Sequence, residues 1–288
     1  MEAASPPSDS AVPVRLLGRA SRRLAQTDWV VRVALGIVVI AALAAIFGPL
    51  LAPHEPSRTD LSAAFQGPSP DHLLGTDASG RDLLSRLLFG ARTALLAPLV
   101  IAMLTVGFGV LVGLLIAWHG GWVDAVGARA MDVVFAFPAL LAAILAVAMF
   151  GKGLAAPVVA LAIVYLPYVA RLIRAAALRE RNLPYVAAMT VQGFSGQRIV
   201  TRHLLPNILP MVIAQAVLCF SYAMIDLSAI NFLGLGLQPP SSDWGVMVAE
   251  GQSAIIGGNP QESLLAGFCI VAVIASVNVL GERLAEDA

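Results

Sequence analysis

The sequence predicts an all-α integral membrane protein with six transmembrane helices. Hydrophobic residues form 58% of the 288 residues and charged residues 12%, whereas about 25% of the residues of an average soluble protein are charged. The apolar residues fall into six runs long enough to cross a hydrocarbon core, which takes about 17 to 25 helical residues. These runs are approximately 30–51, 93–117, 133–151, 154–172, 208–234 and 263–281.

The segment before the first run, residues 1–28, contains prolines, serines and a cluster of arginines. This composition predicts a flexible tail that ends in a basic flank. A cleaved signal peptide would also begin basic and become apolar, but the basic segment is too long here and the apolar run is a full span. The positive-inside bias then places the tail in the cytoplasm.

Alternation of the spans assigns each loop to a side of the membrane. With the tail inside, loops 53–92 and 235–262 lie outside, and loops 118–132 and 173–207 lie inside with the C-terminus. Loop 235–262 has no Lys or Arg, whereas loop 173–207 is rich in arginine, as the positive-inside bias requires. Segment 53–92 contains both arginines and acids, and long loops follow the bias less strictly.

We therefore divide the chain into four parts. They are a cytoplasmic basic tail (1–28), the first transmembrane helix (29–52), an extracytoplasmic segment with an amphipathic helix (53–92), and a five-helix core (93–284) that includes the two long loops 173–207 and 235–262.

Composition disfavours several classes of function. The formal net charge is zero and gives no indication of a nucleic-acid partner. Cys219 and Cys269 lie within apolar runs, so their placement suggests neither a disulfide nor a metal pair. The Gly-Lys-Gly turn at Lys152 lacks the flanking residues of a phosphate-binding loop. We expect no catalytic residues, no bound metal and no ATP site in this chain.

Residues 182–210 form a polar, arginine-bearing island between apolar runs. Asn182 can cap a first short helix, Gly193 can end it, Ser195 can cap a second helix and Pro206 can stop that one. Two short helices around a glycine elbow are expected to project from the membrane as a docking surface. The alternative is an ordinary basic cytoplasmic loop.

The end of the extracytoplasmic segment shows a second pattern. Asp77 can cap a turn through Gly80, and Arg81, Arg86 and Arg92 are spaced to anchor a helix with a leucine-rich apolar face. The pattern predicts an amphipathic helix on the outer surface of the membrane. The alternative is a plain membrane-surface anchor without a partner.

Asp226 is the one acid well inside a predicted span. An isolated carboxylate is costly in a bilayer, so it should face protein or water and have a hydrogen-bonding partner. It either lines a pore, where it can meet a cationic group, or makes a structural hydrogen bond to a neighbour such as Ser228 or Asn231. A proton relay is disfavoured because the predicted spans contain no second acid or histidine to continue it.

Three strings resemble signatures of one protein family. Residues 72–92, HLLGTDASGRDLLSRLLFGAR, resemble HxLGTDxxGRDxLSRLxxGAR; residues 131–141, MDVVFAFPALL, resemble MDxxxxFPxLL; and residues 232–245, FLGLGLQPPSSDWG, resemble FLGLGxQPPxxxWG. The family is that of the dipeptide/oligopeptide/nickel permeases of ABC importers. The resemblance covers about residues 28–284 and is specific to the second, "C"-type permease subunit.

The island at 182–210 resembles the EAA loop of ABC importer permeases. The chain departs from the family at Ala187, where a glutamate is usual. This departure removes a charge-assisted contact with the ATPase, so coupling would depend more on shape, on Arg198 or Arg202, or on the partner permease. The resemblance implies the following coupling residues: Tyr185, Ala187, Ala188, Met189, Gly193, Phe194, Arg198, Arg202 and Pro206.

The resemblance also implies an architecture and partners. It implies a type I ABC importer permease fold with a cytoplasmic coupling loop, in the cytoplasmic membrane of a prokaryote, with both termini inside. A second homologous permease would share the pore, two ATPase subunits would carry ATP and Mg, and an extracytoplasmic binding protein would deliver the cargo. The permease itself would bind no cofactor.

Three further groups of residues are candidates. Trp244 lies near the end of a span, where tryptophan is expected to anchor a helix at the membrane interface. Asp226 and Asn231 are candidate pore or structural residues. The candidate contacts with the binding protein are Asp77, Arg81, Asp82, Gln238, Asp243 and Trp244.

The implied cargo is dipeptides or oligopeptides, with a nickel chelate or another small solute as the alternative within the family. A self-sufficient, ion-coupled secondary transporter is the alternative from a different class, and it would carry several ionisable groups near the membrane midplane. An intramembrane enzyme would need paired catalytic groups within the spans, where we find only Asp226.

Overall fold

Helices form the regular elements of the computed structural model, which describes residues 15–287 and the side chains of residues 29–285. The long helices are α1 (Arg15–Leu51), α2 (Leu83–His119), α5 (Ala155–Arg181), α9 (Leu209–Phe232) and α12 (Gln261–Asp287). The shorter ones are α3 (Gly121–Phe135), α4 (Ala139–Phe150), α6 (Pro184–Val191), α7 (Gly196–Ile199), α8 (Leu205–Asn207), α10 (Trp244–Glu250) and α11 (Gln252–Ile256). A 3₁₀ turn spans Leu61–Ala63, and a π-helical turn spans Val200–Leu204.

The long helices agree with the predicted spans. Each of the five contains an apolar segment long enough to cross a membrane. The remaining crossing is the pair α3 and α4, whose axes differ by 77° across a short break. Pro138 lies in this break, and proline both lacks a backbone N–H and restrains the residue before it. With that pair taken as one crossing, the six-helix, all-α class is confirmed.

Two helices begin earlier than the sequence predicts. α1 starts at Arg15, so residues 15–28 are helical where a flexible tail was expected, and residues 1–14 lie outside the described part of the chain. Arginine, leucine and alanine predominate in this stretch, and all three favour helix. α2 starts at Leu83, so the expected amphipathic helix forms the first turns of a 37-residue helix.

The larger core lies where α2 packs against α5 and α9. Two glycines allow α2 and α5 to approach closely. A Cβ added at Gly109 would lie 2.8 Å from Cγ1 of Val169, and one added at Gly113 would lie 2.7 Å from the carbonyl oxygen of Ala170. This Gly-x-x-x-Gly spacing places two small residues on one face of α2, an arrangement that lets membrane helices bring their backbones together.

A second core joins α1, α9, α10 and α12 to the first half of α2. Trp244 of α10 is buried in it and donates its Nε1–H to the carbonyl oxygen of Leu87, 2.9 Å away. The expectation that Trp244 anchors the protein at the membrane interface is therefore wrong. Gly90 makes room for this contact, because a Cβ there would lie 1.9 Å from the carbonyl oxygen of Ser242.

Candidate coupling surface and transport cavity

The expected docking surface is a compact turn between α5 and α9, which we call the coupling surface (residues 182–207). Pro184 lies in the first turn of α6, and the helix ends before Gly193, whose φ of 82° favours glycine. The two helices on either side of Gly193 agree with the prediction, and Ser195 directly precedes the second but makes no capping hydrogen bond with its side chain. Two details differ: Asn182 ends α5 instead of capping α6, and Pro206 lies within α8, in a first turn that needs no backbone N–H.

The coupling surface has an apolar underside and an outer face of small and basic residues. Val186, Ile199 and Leu204 are buried and hold it on the protein. Arg198 lies over the ring of Phe194, with 4.9 Å between Cζ and the ring centroid. Among the predicted coupling residues, Ala187, Ala188, Gly193, Arg198, Arg202 and Pro206 are exposed, and Tyr185, Met189 and Phe194 are half-buried.

Glu180 ties together both ends of the coupling surface. Its Oε1 accepts hydrogen bonds from the hydroxyl of Tyr185 at 2.9 Å and from Nδ2 of Asn207 at 2.6 Å. Burial and the hydrogen bond to Glu180 raise the pKa of Tyr185 above its ordinary value. One carboxylate thus holds together the end of α5, the start of α6 and the end of α8. This favours movement of the coupling surface as a unit.

The coupling surface also contacts the end of α2. A Cβ added at Gly196 would lie 2.6 Å from Nε1 of Trp118, so the indole packs directly against the backbone of α7. Arg181 lies over the same indole, 5.5 Å from the ring centroid, and donates to the carbonyl oxygen of Ala117 at 2.6 Å. A displacement of the turn would therefore act on α2 through direct packing.

A cavity of about 420 Å³ lies between α5 and α9, beside the break between α3 and α4. Its walls are mainly aromatic and aliphatic, and Asp226 and Gln215 contribute polar groups. The hydroxyl of Tyr165 donates to Oδ2 of Asp226 at 2.5 Å. Asp226 therefore both lines a cavity and makes a hydrogen bond to a neighbouring helix, although the donor is Tyr165 and not the expected Ser228 or Asn231.

Asn231 lies away from this cavity and has a structural role. Its Nδ2 donates to Oδ1 of Asp243 at 2.8 Å, and its Oδ1 accepts from the backbone N–H of Leu237 at 2.9 Å. Asp243 also accepts from the hydroxyl of Thr93 and from the backbone N–H of Gly245, both at 2.9 Å. Burial raises the pKa of Asp243 above its usual range, against the opposing effect of these hydrogen bonds.

A buried ion network holds the start of α2. The guanidinium of Arg86 is fully buried and contacts Asp77 at 2.7 Å, Glu262 at 2.5 Å, and Glu250. Arg81 contacts Asp77 at 2.5 Å and Glu250 at 2.9 Å. The network joins segment 53–92 to α10 and α12. The predicted membrane-surface helix is therefore wrong, because an arginine surrounded by three carboxylates is held inside the protein.

Most of the candidate contacts with a binding protein are internal. The structure buries Asp77, Arg81, Asp82, Asp243 and Trp244, while Gln238 is half-buried and accepts a hydrogen bond from Nζ of Lys152 at 3.3 Å. Asp77 does form the predicted turn, since its Oδ1 accepts from the backbone N–H groups of Ser79 and Arg81. Contact of these side chains with a binding protein stays a prediction.

Comparison with known proteins decides the family. Residues 109–286 match the family model described as binding-protein-dependent transport system inner membrane component, and residues 17–68 match the N-terminal TM domain of oligopeptide transport permease C. The chain is 35% identical over 281 residues to the dipeptide transport system permease protein DppC of Alkalihalophilus pseudofirmus, covering 97% of this chain and 91% of the relative. The chain belongs to the binding-protein-dependent transport permease family.

Other relatives of this permease carry similar names. The chain is 38% identical over 253 residues to the di/tripeptide transport system permease protein DppC of Pseudomonas aeruginosa, covering 86% of this chain and 83% of the relative. It is 39% identical over 220 residues to the probable D,D-dipeptide transport system permease protein DdpC of Escherichia coli, covering 76% and 74% of the two chains.

A solved structure supports the same architecture. The permease resembles a chain of the inward-facing MetNI methionine ABC transporter with a TM-score of 0.58 and 19% identity, covering 70% of this chain and 95% of the other. The type I importer permease fold expected from the sequence is thus confirmed. As a member of this family, the permease is a membrane-spanning transport subunit that works with other permease, ATPase and binding-protein subunits.

The sequence analysis missed several residues that organise these sites. Tyr165, Glu180 and Trp118 each connect a site residue to another helix. Glu180 could have been found, because it is the one acid close to an arginine-rich loop. Tyr165 and Trp118 gave no such signal, since aromatic residues are common near the ends and in the interior of membrane helices.

Proposed function

We propose that this permease forms half of the pore of an ATP-driven importer that moves dipeptides or oligopeptides across the cytoplasmic membrane of a prokaryote. The observation that carries the proposal is the similarity, over 97% of the chain, to a permease named for dipeptide transport. Relatives named for di/tripeptide and D,D-dipeptide transport support the same cargo class. A second homologous permease would supply the other half of the pore.

The coupling surface would dock on one of two partner ATPase subunits, which would bind ATP and Mg. Its exposed face has a small apolar patch formed by Ala187, Ala188 and Val191. Val191 is 89% exposed. Arg198 and Arg202 lie exposed nearby and can pair with acidic groups of an ATPase. These features would take the place of the charge-assisted contact that Ala187 cannot make.

The cavity beside Asp226 would form part of the path of the peptide. The hydrogen bond from Tyr165 orients the carboxylate, and a peptide amino terminus is a cation of suitable charge for it. The aromatic walls can accept different side chains by apolar contact, which suits a path that carries varied peptides. An extracytoplasmic binding protein would then select the cargo.

Charge placement supports the orientation of the permease. The coupling surface and the end of α5 are rich in arginine, while the described loop 235–262 has no Lys or Arg. By the positive-inside bias, the coupling surface faces the cytoplasm and the ion network faces outward. With six crossings, both termini would lie in the cytoplasm.

Purification and transport assays test the proposal. The tagged permease, isolated gently from its native membrane, should bring a second permease and two ATPase subunits with it. Gly193→Val should reduce the yield of the ATPase subunits, because a β-branched residue cannot adopt φ of 82° without strain. Gly193→Asn is the matched control, since asparagine tolerates this conformation.

The isolated complex, reconstituted in liposomes with its binding protein, should take up a labelled dipeptide only with ATP. Asp226→Asn should slow this uptake without changing the subunit composition, whereas Asp71→Asn, at an exposed loop position, should leave it unchanged. Uptake of a nickel chelate but no peptide would contradict the cargo. Uptake on an ion gradient without ATP would contradict the importer itself.

A further inference from the structure

Two histidines and an aspartate meet where α1, the following loop and α2 come together. A ligand atom from each of His54, His72 and Asp82 lies within 4.8 Å of the other two. Nδ1 of His72 is 3.0 Å from Oδ1 of Asp82, and Nδ1 of His54 is 3.9 Å from Oδ2 of the same carboxylate. The two imidazole rings have their centroids 4.9 Å apart.

The fold brings these residues together through close backbone contacts. A Cβ added at Gly48 would lie 2.3 Å from the carbonyl oxygen of Leu88, so the end of α1 lies directly against α2. His54 follows six residues later, and its backbone N–H donates to the hydroxyl of Ser85 at 3.0 Å. The backbone N–H of His72 donates to the hydroxyl of Ser69, also at 3.0 Å. Both histidines are thus held at their backbones.

Asp82 is oriented by hydrogen bonds of the kind that support a metal ligand. Its Oδ2 accepts from the backbone N–H and the hydroxyl of Ser85, at 2.8 and 2.7 Å. Ser85 thus fixes the carboxylate at the start of α2, with its other oxygen beside His72.

His54 offers a nitrogen that the described residues leave without a hydrogen bond. Its Nδ1 is buried, and the 3.9 Å to Asp82 is too long for a hydrogen bond. Buried polar atoms without partners are rare in native structures, so this nitrogen calls for one. A metal ion between His54, His72 and Asp82 would provide it.

From this geometry we propose that His54, His72 and Asp82 bind a Zn²⁺ ion on the extracytoplasmic side of the permease. Zinc bonds of about 2.0–2.1 Å place tetrahedral ligand atoms about 3.3 Å apart, a spacing within the range of the observed separations. Two imidazoles with one carboxylate suit zinc better than Mg²⁺ or Ca²⁺, which prefer oxygen ligands. The fourth position would be open to water.

The two histidines are the exposed part of the site. The side chain of Asp82 is 1% exposed, that of His72 is 18% exposed and that of His54 is 33% exposed. An ion can therefore enter past the histidines and meet the buried carboxylate last. Once bound, it would fix the end of α1 and the extracytoplasmic loop to the first turn of α2. Zinc binding at this site does not depend on which solute the permease carries.

Metal binding to the full chain tests the proposal. The permease, purified with a tag that contains no histidine and stripped with chelator, should bind one Zn²⁺ per chain in titration calorimetry and retain it through dialysis. The double variant His54→Gln/His72→Gln should weaken zinc binding more than a change in the outer shell does, which typically costs about 10–100-fold. His119→Gln, at an exposed histidine on the last turn of α2, should bind as the wild type does.

A second variant separates binding from folding. Asp82→Asn keeps an oxygen that can cap α2, because asparagine is as good a helix cap as aspartate, but it removes the anionic ligand. Its melting temperature without zinc should therefore stay close to that of the wild type, while the rise in melting temperature with added Zn²⁺ is lost. Absence of zinc binding by the wild type, or zinc binding by the double variant or Asp82→Asn equal to that of the wild type, would show a hydrogen-bonded histidine pair only and would overturn the proposal.

Discussion

The buried charge of Arg86 is compensated mainly by residues far away in the chain. Its guanidinium has no solvent-exposed surface and meets Asp77, Glu250 and Glu262, the last two more than 160 residues away. A charge buried in this way is stable only while its partners are present. Removing the arginine would leave three carboxylates close together with reduced compensation, although Arg81 would still contact two of them.

We expect Arg86→Met to destabilise the permease strongly. Removal of one partner from a buried ionic cluster typically costs about 3–5 kcal/mol, so the melting temperature of the variant in detergent should fall well below that of the wild type. Arg92→Met is the matched control, because Arg92 lies on the exposed side of the same helix. Equal losses in the two variants would mean that the network contributes little.

The buried carboxyl of Asp243 should make stability depend on pH. Because its pKa is higher in the folded than in the unfolded protein, the folded state binds this proton more tightly. The contribution of Asp243 therefore falls as pH rises from the ordinary aspartate pKa of about 3.9 through the raised value. Melting temperatures between pH 4 and pH 8 should show the wild type losing stability relative to Asp243→Asn as pH rises. A difference that is constant with pH would contradict this expectation.

At the residue scale, the sequence could predict local contacts but not distant ones. The turn at Asp77 was predicted because its acceptors and donors lie within four residues. The partner of Asp226 was expected among close neighbours in the chain, Ser228 or Asn231, whereas the observed partner is Tyr165, 61 residues away. A hydrogen bond between helices depends on their packing, which the pattern of one sequence does not specify.

At the scale of helices, the contact between α2 and α5 depends on missing side chains. Gly109 and Gly113 allow the two backbones to approach, while Gly107 on the same helix has no atom within 4 Å of an added Cβ. These three glycines therefore allow the steric effect of an added side chain to be compared at different positions of α2.

Gly113→Val should disrupt the packing of α2 on α5, because the added atoms would overlap the carbonyl oxygen of Ala170. Overpacking of this kind commonly costs about 1–3 kcal/mol. Gly107→Ala should instead leave the melting temperature unchanged or raise it slightly, since alanine favours helix over glycine by about 1 kcal/mol. The proposed steric role of Gly113 would be wrong if both variants melted at the same temperature.

Helix ends were harder to predict than helix interiors. The apolar runs located the spans, but α2 begins ten residues before its apolar run as assigned from the sequence. The signal was present at Asp82, which caps the helix by accepting from the backbone N–H of Ser85. Two arginines in the next turns, Arg86 and Arg92, obscured it, because charged residues in a membrane protein usually indicate a surface. The pairing of Arg86 with distant carboxylates reverses that expectation.

At the scale of the whole molecule, two exposed apolar residues can report its orientation. Val191 lies on the coupling surface and is 89% exposed, and Ile256 is the last residue of α11 and is 93% exposed. In a variant with Cys219 and Cys269 replaced by alanine, Val191→Cys should react with a membrane-impermeant maleimide only from the cytoplasmic side. Ile256→Cys should react only from the opposite side.

The same variants test docking. Assembly with the ATPase subunits should protect the cysteine at position 191 from labelling and leave the one at position 256 reactive. Labelling of both positions from the same side would contradict the proposed orientation, and labelling of position 191 in the full complex at the free rate would contradict the docking surface.

The length of α2 has a mechanical consequence. With 37 residues, the helix is about 55 Å long at 1.5 Å per residue. Arg86 in its first turn belongs to the ion network, and Trp118 in its last turn packs its indole against the coupling surface. If it pivots as a rod near its middle, a tilt of about 10° moves each tip by roughly 5 Å in opposite directions. A displacement of one end of α2 on one side of the membrane then produces an opposite displacement of the other end on the other side.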